Sequence, residues 1–181
     1  MNPGNASQVL AGSQGAAGYF QSTDAGKTWA TVTVSTACGG INGALFSASG
    51  DTLYLAGTTG VCRSTDSGKT WTVAAVPGSF SVAALARDPS DPAVLYAGAA
   101  VNIGTNTSAL FRSADGGLTW ESLGGGSFPN VTVTSILVEP SGQVVAATSG
   151  AGVLKFLAAA TRPPIAPPEP GARTPRSVAP R

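Results

Sequence analysis

Histidine is absent from this chain of 181 residues, methionine occurs once, cysteine twice, and charged side chains make up only 10%. Each shortage removes a class of function. Without histidine there is no Ser-His-Asp or Cys-His nucleophilic site, and the commonest metal ligand is missing. Two cysteines, Cys38 and Cys62, make neither a metal site nor a redox pair. No run reaches ~18 apolar residues, so no membrane span is read. No charged segment leading into an apolar one opens the sequence, so no secretion signal is read either. No stretch holds an apolar period of 3.6 residues, so helices should be few. No cofactor and no metal is expected.

What is present is apolar and close to neutral. With 43% hydrophobic residues the chain has enough for a core, as one domain. The charge is unevenly spread: residues 1–160 carry six Lys/Arg against eight Asp/Glu, net −2, whereas residues 161–181 carry four Arg and one Glu, net +3. The C-terminal stretch, residues 158–181, is rich in Pro and Arg and is expected to be disordered or polyproline-like. The rest has no basic patch, which disfavours nucleic-acid binding.

Three near-copies of one octapeptide organise residues 1–157. They are Ser22-Thr23-Asp24-Ala25-Gly26-Lys27-Thr28-Trp29, Ser64-Thr65-Asp66-Ser67-Gly68-Lys69-Thr70-Trp71 and Ser113-Ala114-Asp115-Gly116-Gly117-Leu118-Thr119-Trp120. Asp24 and Asp66 are 42 residues apart, Asp66 and Asp115 49. A period of that size marks an array of supersecondary units. Around each octapeptide lie short runs rich in β-branched and aromatic residues, bounded by Gly, Pro, Asn, Asp and Ser, which read as strands. Thr52-Leu53-Tyr54-Leu55-Ala56-Gly57 and Gly60-Val61-Cys62-Arg63 are two of them. Four antiparallel strands in about 40 residues is the build of a propeller blade.

The octapeptide itself reads as a turn between two strands. Asp accepts backbone N–H bonds, Gly tolerates positive φ, and the Ser and Thr hydroxyls complete the local network. One carboxylate per turn is too few for a calcium site. The Trp is expected to be buried beside the turn, so that Trp71→Ala should cost about 3–5 kcal/mol.

The pattern S-x-D-x-G-x-T-W, preceded in two copies by G-[VY]-x-x, resembles the Asp-box or BNR repeat. That repeat is found in sialidase-like propellers, propeller glycoside hydrolases, sortilin-type receptors and photosystem II assembly factors. The resemblance covers roughly residues 2–156. It implies an all-β propeller segment of about 3.5 four-stranded blades, with repeats at about 2–47, 48–87, 88–138 and 139–156. It also implies a structural role for Ser22, Asp24, Gly26, Thr28, Trp29, Ser64, Asp66, Gly68, Thr70, Trp71, Ser113, Asp115, Gly117, Thr119 and Trp120. In that family these turns join the third and fourth strands of a blade, away from the ligand.

Counted as strands a to d, the chain runs b-c-d, a-b-c-d, a-b-c-d, a-b-c, or 14 strands. A closed propeller takes four to eight full blades. The alternatives are a strained ring, an open arc with exposed edges, two arcs closing a seven-blade ring, or a piece of a larger propeller. The last is expected first, because the sequence starts inside a blade. An extracytoplasmic protein is expected if a signal lies upstream.

A ligand would then meet the b–c and d–a loops. None of these holds an Asp, Glu, Lys, Arg or His. Glycoside hydrolysis generally needs two carboxyl groups flanking the bond, so catalysis by this polypeptide is not expected. The candidate ligand face is neutral and polar-aromatic: Gln14, Asn42, Phe80, Asn102, Asn106, Phe128 and Asn130. Amides and hydroxyls beside an aromatic ring suit a protein or carbohydrate ligand. Arg63, Arg112 and Lys155 recur at one position and read as blade-surface charges. Cys62 replaces Phe20 and Phe111 in the third strand; it is either a small core residue or the partner of Cys38 in a disulfide. The expected function is a non-catalytic scaffold or binding module, with a fragment of a propeller glycoside hydrolase lacking its catalytic blades as the alternative.

Overall fold

A computed structural model describes residues 1–12, 18–34, 36–78, 81–100, 109–123 and 131–157. These residues form fourteen strands in four antiparallel sheets, with one short 3-10 helix at Thr36–Cys38. Sheet one holds β1 (Val9–Gly12), β2 (Gly18–Ser22) and β3 (Ala30–Thr33). Sheet two holds β4 (Ile41–Phe46), β5 (Leu53–Gly57), β6 (Gly60–Ser64) and β7 (Thr72–Ala74). Sheet three holds β8 (Ser81–Arg87), β9 (Leu95–Ala100), β10 (Leu110–Ser113) and β11 (Glu121–Ser122). Sheet four holds β12 (Thr132–Val138), β13 (Gln143–Ser149) and β14 (Val153–Leu157). Each sheet is a simple meander, every strand pairing with the next in sequence.

The sheets stack in chain order, so each has a face toward the sheet before it and a face toward the sheet after it. The register fixes which residues go where. In sheet two, Tyr54 stands opposite Arg63 and Ala56 opposite Val61, while Leu55 stands opposite Cys62. Leu55 and Cys62 pack with Leu10, Tyr19 and Val32 of sheet one. Tyr54, Ala56 and Val61 pack instead with Leu95, Ala97, Phe111 and Trp120 of sheet three. The pattern repeats once more: Tyr96 and Leu110 of sheet three meet Val138, Val144 and Phe156 of sheet four. A strand covered on both faces needs apolar residues at consecutive positions, and all five residues of β5 are buried. Fully burying a large apolar side chain contributes about 1.5–3 kcal/mol. The core is therefore three separate interleaved layers rather than one central mass.

Close approach also constrains the small residues. A Cβ on Gly98 would stand 2.5 Å from Val133 Cγ1 of sheet four, so only glycine lets these two sheets meet there. Polar links also bridge neighbouring sheets. Asn2 Nδ2 donates to Gly50 O (3.1 Å), Arg87 donates to Ser47 O (3.0 Å), and Asn42 Nδ2 donates to Val82 O (2.8 Å).

Two expectations change. The three octapeptide tryptophans are not equally buried: Trp120 is 8% exposed, Trp71 is half-buried, and Trp29 is 45% exposed. The reason is position. Trp71 meets Tyr19 of sheet one edge-on at 6.1 Å, and Trp120 packs among residues of sheet two, whereas among the described residues no sheet stands against the Trp29 face of sheet one. Arg63 and Arg112, read from sequence as surface charges, sit beside Tyr54 and Tyr96 on faces turned to the following sheet. The Arg112 side chain is only 14% exposed, and it pairs with Glu121 at 3.2 Å.

Urea unfolding of single Trp→Ala variants should therefore give graded losses. Trp120→Ala should lose about 3–5 kcal/mol, as a buried aromatic does, Trp71→Ala less, and Trp29→Ala least. Three equal losses would contradict the stacking order.

Candidate functional site

Two constellations of polar side chains stand at opposite ends of the sheets. The first is the set of octapeptide turns after β2, β6 and β10. In the first turn, Asp24 Oδ1 accepts bonds from Ser22 Oγ (2.8 Å) and Thr28 N (2.8 Å), and Oδ2 accepts one from Thr28 Oγ1 (2.6 Å). Ser22 Oγ in turn accepts from Gly26 N (2.8 Å), and Trp29 Nε1 donates to Gly26 O (3.0 Å). The second turn repeats every bond: Asp66 accepts from Ser64 Oγ, Thr70 N and Thr70 Oγ1, Gly68 N reaches Ser64 Oγ, and Trp71 Nε1 reaches Gly68 O. The third keeps the Ser113, Asp115, Gly117 and Thr119 bonds, but Trp120 Nε1 is buried without a partner.

These bonds hold the carboxyls ionised. The Thr28 hydroxyl, then its backbone N–H and the Ser22 hydroxyl lower the Asp24 pKa to about 2. The Thr70 hydroxyl, then its N–H and the Ser64 hydroxyl do the same for Asp66, also to about 2. At Asp115 burial pushes the pKa up, but the donors from Thr119, Ser113 and Leu118 outweigh it and leave about 2. One feature was missed from sequence. The residue between Asp and Gly is also left-handed, with φ 62° at Ala25, 61° at Ser67 and 70° at Gly116. The glycine in the third copy was the only signal of it, because only there does the residue type match the conformation.

The second constellation is a cleft of about 470 Å³ at the other end. There β4, β8 and β12 begin and β1 and β9 finish, at Gly12 and Ala100. Ser81 and Thr132 line it from the strand starts. The remaining lining residues, Asn42, Ala83 and Thr134, share a cause. Each is an extra residue in its strand: the pairing shifts between Ile41 and Gly43, between Val82 and Ala84, and between Val133 and Ser135. A bulge re-aims a side chain, and here three bulges at the same level of successive inner strands line one cleft. Asn42 is fixed there by its bonds to Val82 O and Ser81 Oγ (3.3 Å). Sequence reading found Asn42 but missed the bulges, which leave no local signature.

The approach to Asn42 is braced. Cys38 and Cys62 form a disulfide, both sulfurs buried, between the 3-10 turn and β6. Thr59 Oγ1 donates to Ala37 O (2.6 Å), and Gly40 N donates to Thr58 Oγ1 (3.0 Å). Of the other candidate ligand residues, Gln14, Phe80, Asn102, Asn106, Phe128 and Asn130 lie outside the described residues.

No ionisable side chain lines the cleft among the described residues. The carboxylates stand elsewhere. Asp51 accepts from Ser47, Ser49 and Thr52, and Asp88 from Ser90. Asp91 accepts from Ala93 N and Glu139 from Ser141, while Glu121 pairs with Arg112. No group of three or more metal-ligating side chains occurs among the described residues, and none of their helices is long and apolar enough to cross a membrane.

No known protein-family model matches the chain, and no curated protein does. Solved structures do. A GH74 enzyme from Niastella koreensis superposes with a TM-score of 0.68 at 20% identity over 87% of this chain, and an ancestral GH74 enzyme with 0.67 at 19% over 86%. YCF48 bound to D1 peptide follows at 0.58, 19% and 84%. The fold is that of a β-propeller. The chain spans 28%, 22% and 48% of those three structures, so its sheets correspond to a part of each propeller protein.

Acid titration checks the turns. A carboxyl held at about 2 against an ordinary 3.8 adds stability above pH ~4, lost as pH falls through the folded value. Asp66→Asn should therefore be less stable than the parent at neutral pH and show a shallower decline in urea midpoint between pH 4 and pH 2. Identical pH slopes would show that the Asp66 bonds do not persist in solution.

Proposed function

We propose that this chain is a non-catalytic module of an Asp-box (BNR) propeller, and that it binds an uncharged stretch of protein or carbohydrate in the cleft. The observation that carries this is the cleft lining: one fixed amide, three hydroxyls and small side chains, with Asn42, Ala83 and Thr134 placed by three aligned bulges and no charge among the described lining residues. A concave site with a few placed polar groups orients a ligand without transforming it. The structural role of the fifteen turn residues belongs to the same reading, supported by the bonds within each turn. A protein segment comes first, since the described lining offers no aromatic platform for a sugar ring, and YCF48 is a propeller seen with a bound peptide. An extracytoplasmic setting is supported by the Cys38–Cys62 disulfide, because such bonds persist in oxidising compartments.

The second reading is a piece of a propeller glycoside hydrolase whose catalytic blades lie elsewhere. Its support is the likeness to two GH74 enzymes, of which this chain spans about a quarter. Further Asp-box repeats in the flanking DNA, with carboxylates on the b–c or d–a loops, would favour it.

Calorimetric titration of the whole chain against neutral peptides and neutral oligosaccharides tests the binding reading. Thr132→Arg places bulk and charge in the cleft and should abolish any heat seen with the parent while leaving circular dichroism unchanged. Binding that survives the substitution would move the ligand away from the cleft.

A further inference from the structure

Among the described residues, sheets one and four each keep one face that no other sheet covers, and these two faces match. The positions Tyr19, Val61 and Leu110 are equivalent in register, and each is fully buried by the sheet that follows. Val153 of sheet four occupies the same position and is 63% exposed; Leu137, two strands inward on that face, is 62% exposed. At the other end, Cys62 and Phe111 are buried by the sheet that precedes them, whereas the equivalent Phe20 is 38% exposed. Trp29 is bare for the same reason. Four of the seven exposed large hydrophobic residues among those described therefore lie on two faces whose counterparts pack together three times within the chain.

We propose that two copies of this chain associate head to tail, with the free face of sheet four in one copy stacked on the free face of sheet one in the other. The contact continues the series of sheet-on-sheet layers already in the fold. Phe20 would take the place of Phe111, and Trp29 that of Trp120, against Val145, Ala147 and Val153 in the places of Tyr54, Ala56 and Val61. Lys155 is no obstacle: it stands opposite Val145 as Arg63 stands opposite Tyr54 and Arg112 opposite Tyr96, and both arginines are accommodated in existing layers. The contact is heterologous, so it closes a ring or grows a chain according to its rotation. Two copies bring eight sheets rather than seven, because each end sheet keeps its own three strands. The proposal rests on the reading of the chain as stacked blades and not on the ligand of the cleft.

Sedimentation velocity on the whole chain, over a range of concentrations, tests it. The parent should rise in mass with concentration. Val153→Asp and Phe20→Asp, each on an exposed position, should each be monomeric with unchanged circular dichroism. Mixed, they should form one 1:1 dimer and nothing larger, since each retains the face the other needs. If either fails to fold, Leu137→Asp replaces the first and Thr31→Asp, on the Phe20 face, the second. A parent that stays monomeric would overturn the proposal, leaving these faces to further blades of a longer chain. So would a single variant that associates as strongly as the parent, or a mixture that stays monomeric.

Discussion

The order of the first three sheets depends on one contact, the meeting of the second and third octapeptide turns with the sheet before each. Tyr19 of sheet one lies edge-on to Trp71, and its hydroxyl approaches the space a Cβ on Gly68 would take, at 2.7 Å. Tyr54 of sheet two donates to Gly116 O (3.1 Å), and its ring lies 3.1 Å from the corresponding point on Gly117. The turn is thus more than a connection between two strands. It presents a glycine and an indole to its neighbour, and the tyrosine there fits only because the glycine has no side chain. Sheets held in this way take their order and spacing from the turns. The apolar layers between them then follow from strand register.

The division of labour between the two ends has a physical basis. A turn whose carboxylate already accepts three or more bonds has little capacity left for a ligand, and its depressed pKa expresses that satisfaction. The opposite end has an amide and hydroxyls beside open space and a backbone irregularity in each of β4, β8 and β12. The same polar residue types therefore do different work: at one end they saturate a carboxylate within a turn, and at the other Asn42 and Thr134 make links to neighbouring strands at the edge of a cleft.

Much of this was legible in the sequence because it is local. The turn needs Ser, Asp, Gly, Thr and Trp within eight residues, and three copies in register reveal both the turn and its period. The fourteen strands follow from apolar runs between turn residues. The bulges at Asn42, Ala83 and Thr134 were not legible, since an amide, a methyl and a hydroxyl share no propensity, and the extra residue is defined only by the partner strand. The unequal burial of Trp29, Trp71 and Trp120 was hidden for a related reason. Near-identical octapeptides differ in what precedes them in space, and sequence similarity between copies conceals it. Arg63 and Arg112 were misplaced because a charge in a strand reads as solvent-facing unless the register of its neighbours is known.

The alignment of the three bulges has a consequence for how such a site changes over time. Because Asn42, Ala83 and Thr134 sit outside the regular ladder, replacing their side chains leaves the strand register and the apolar layers between sheets in place. Ala83 already shows a minimal side chain where its counterparts carry an amide and a hydroxyl. These three positions can therefore vary while the register of the scaffold stays constant, so that at them recognition and folding are subject to separate selection.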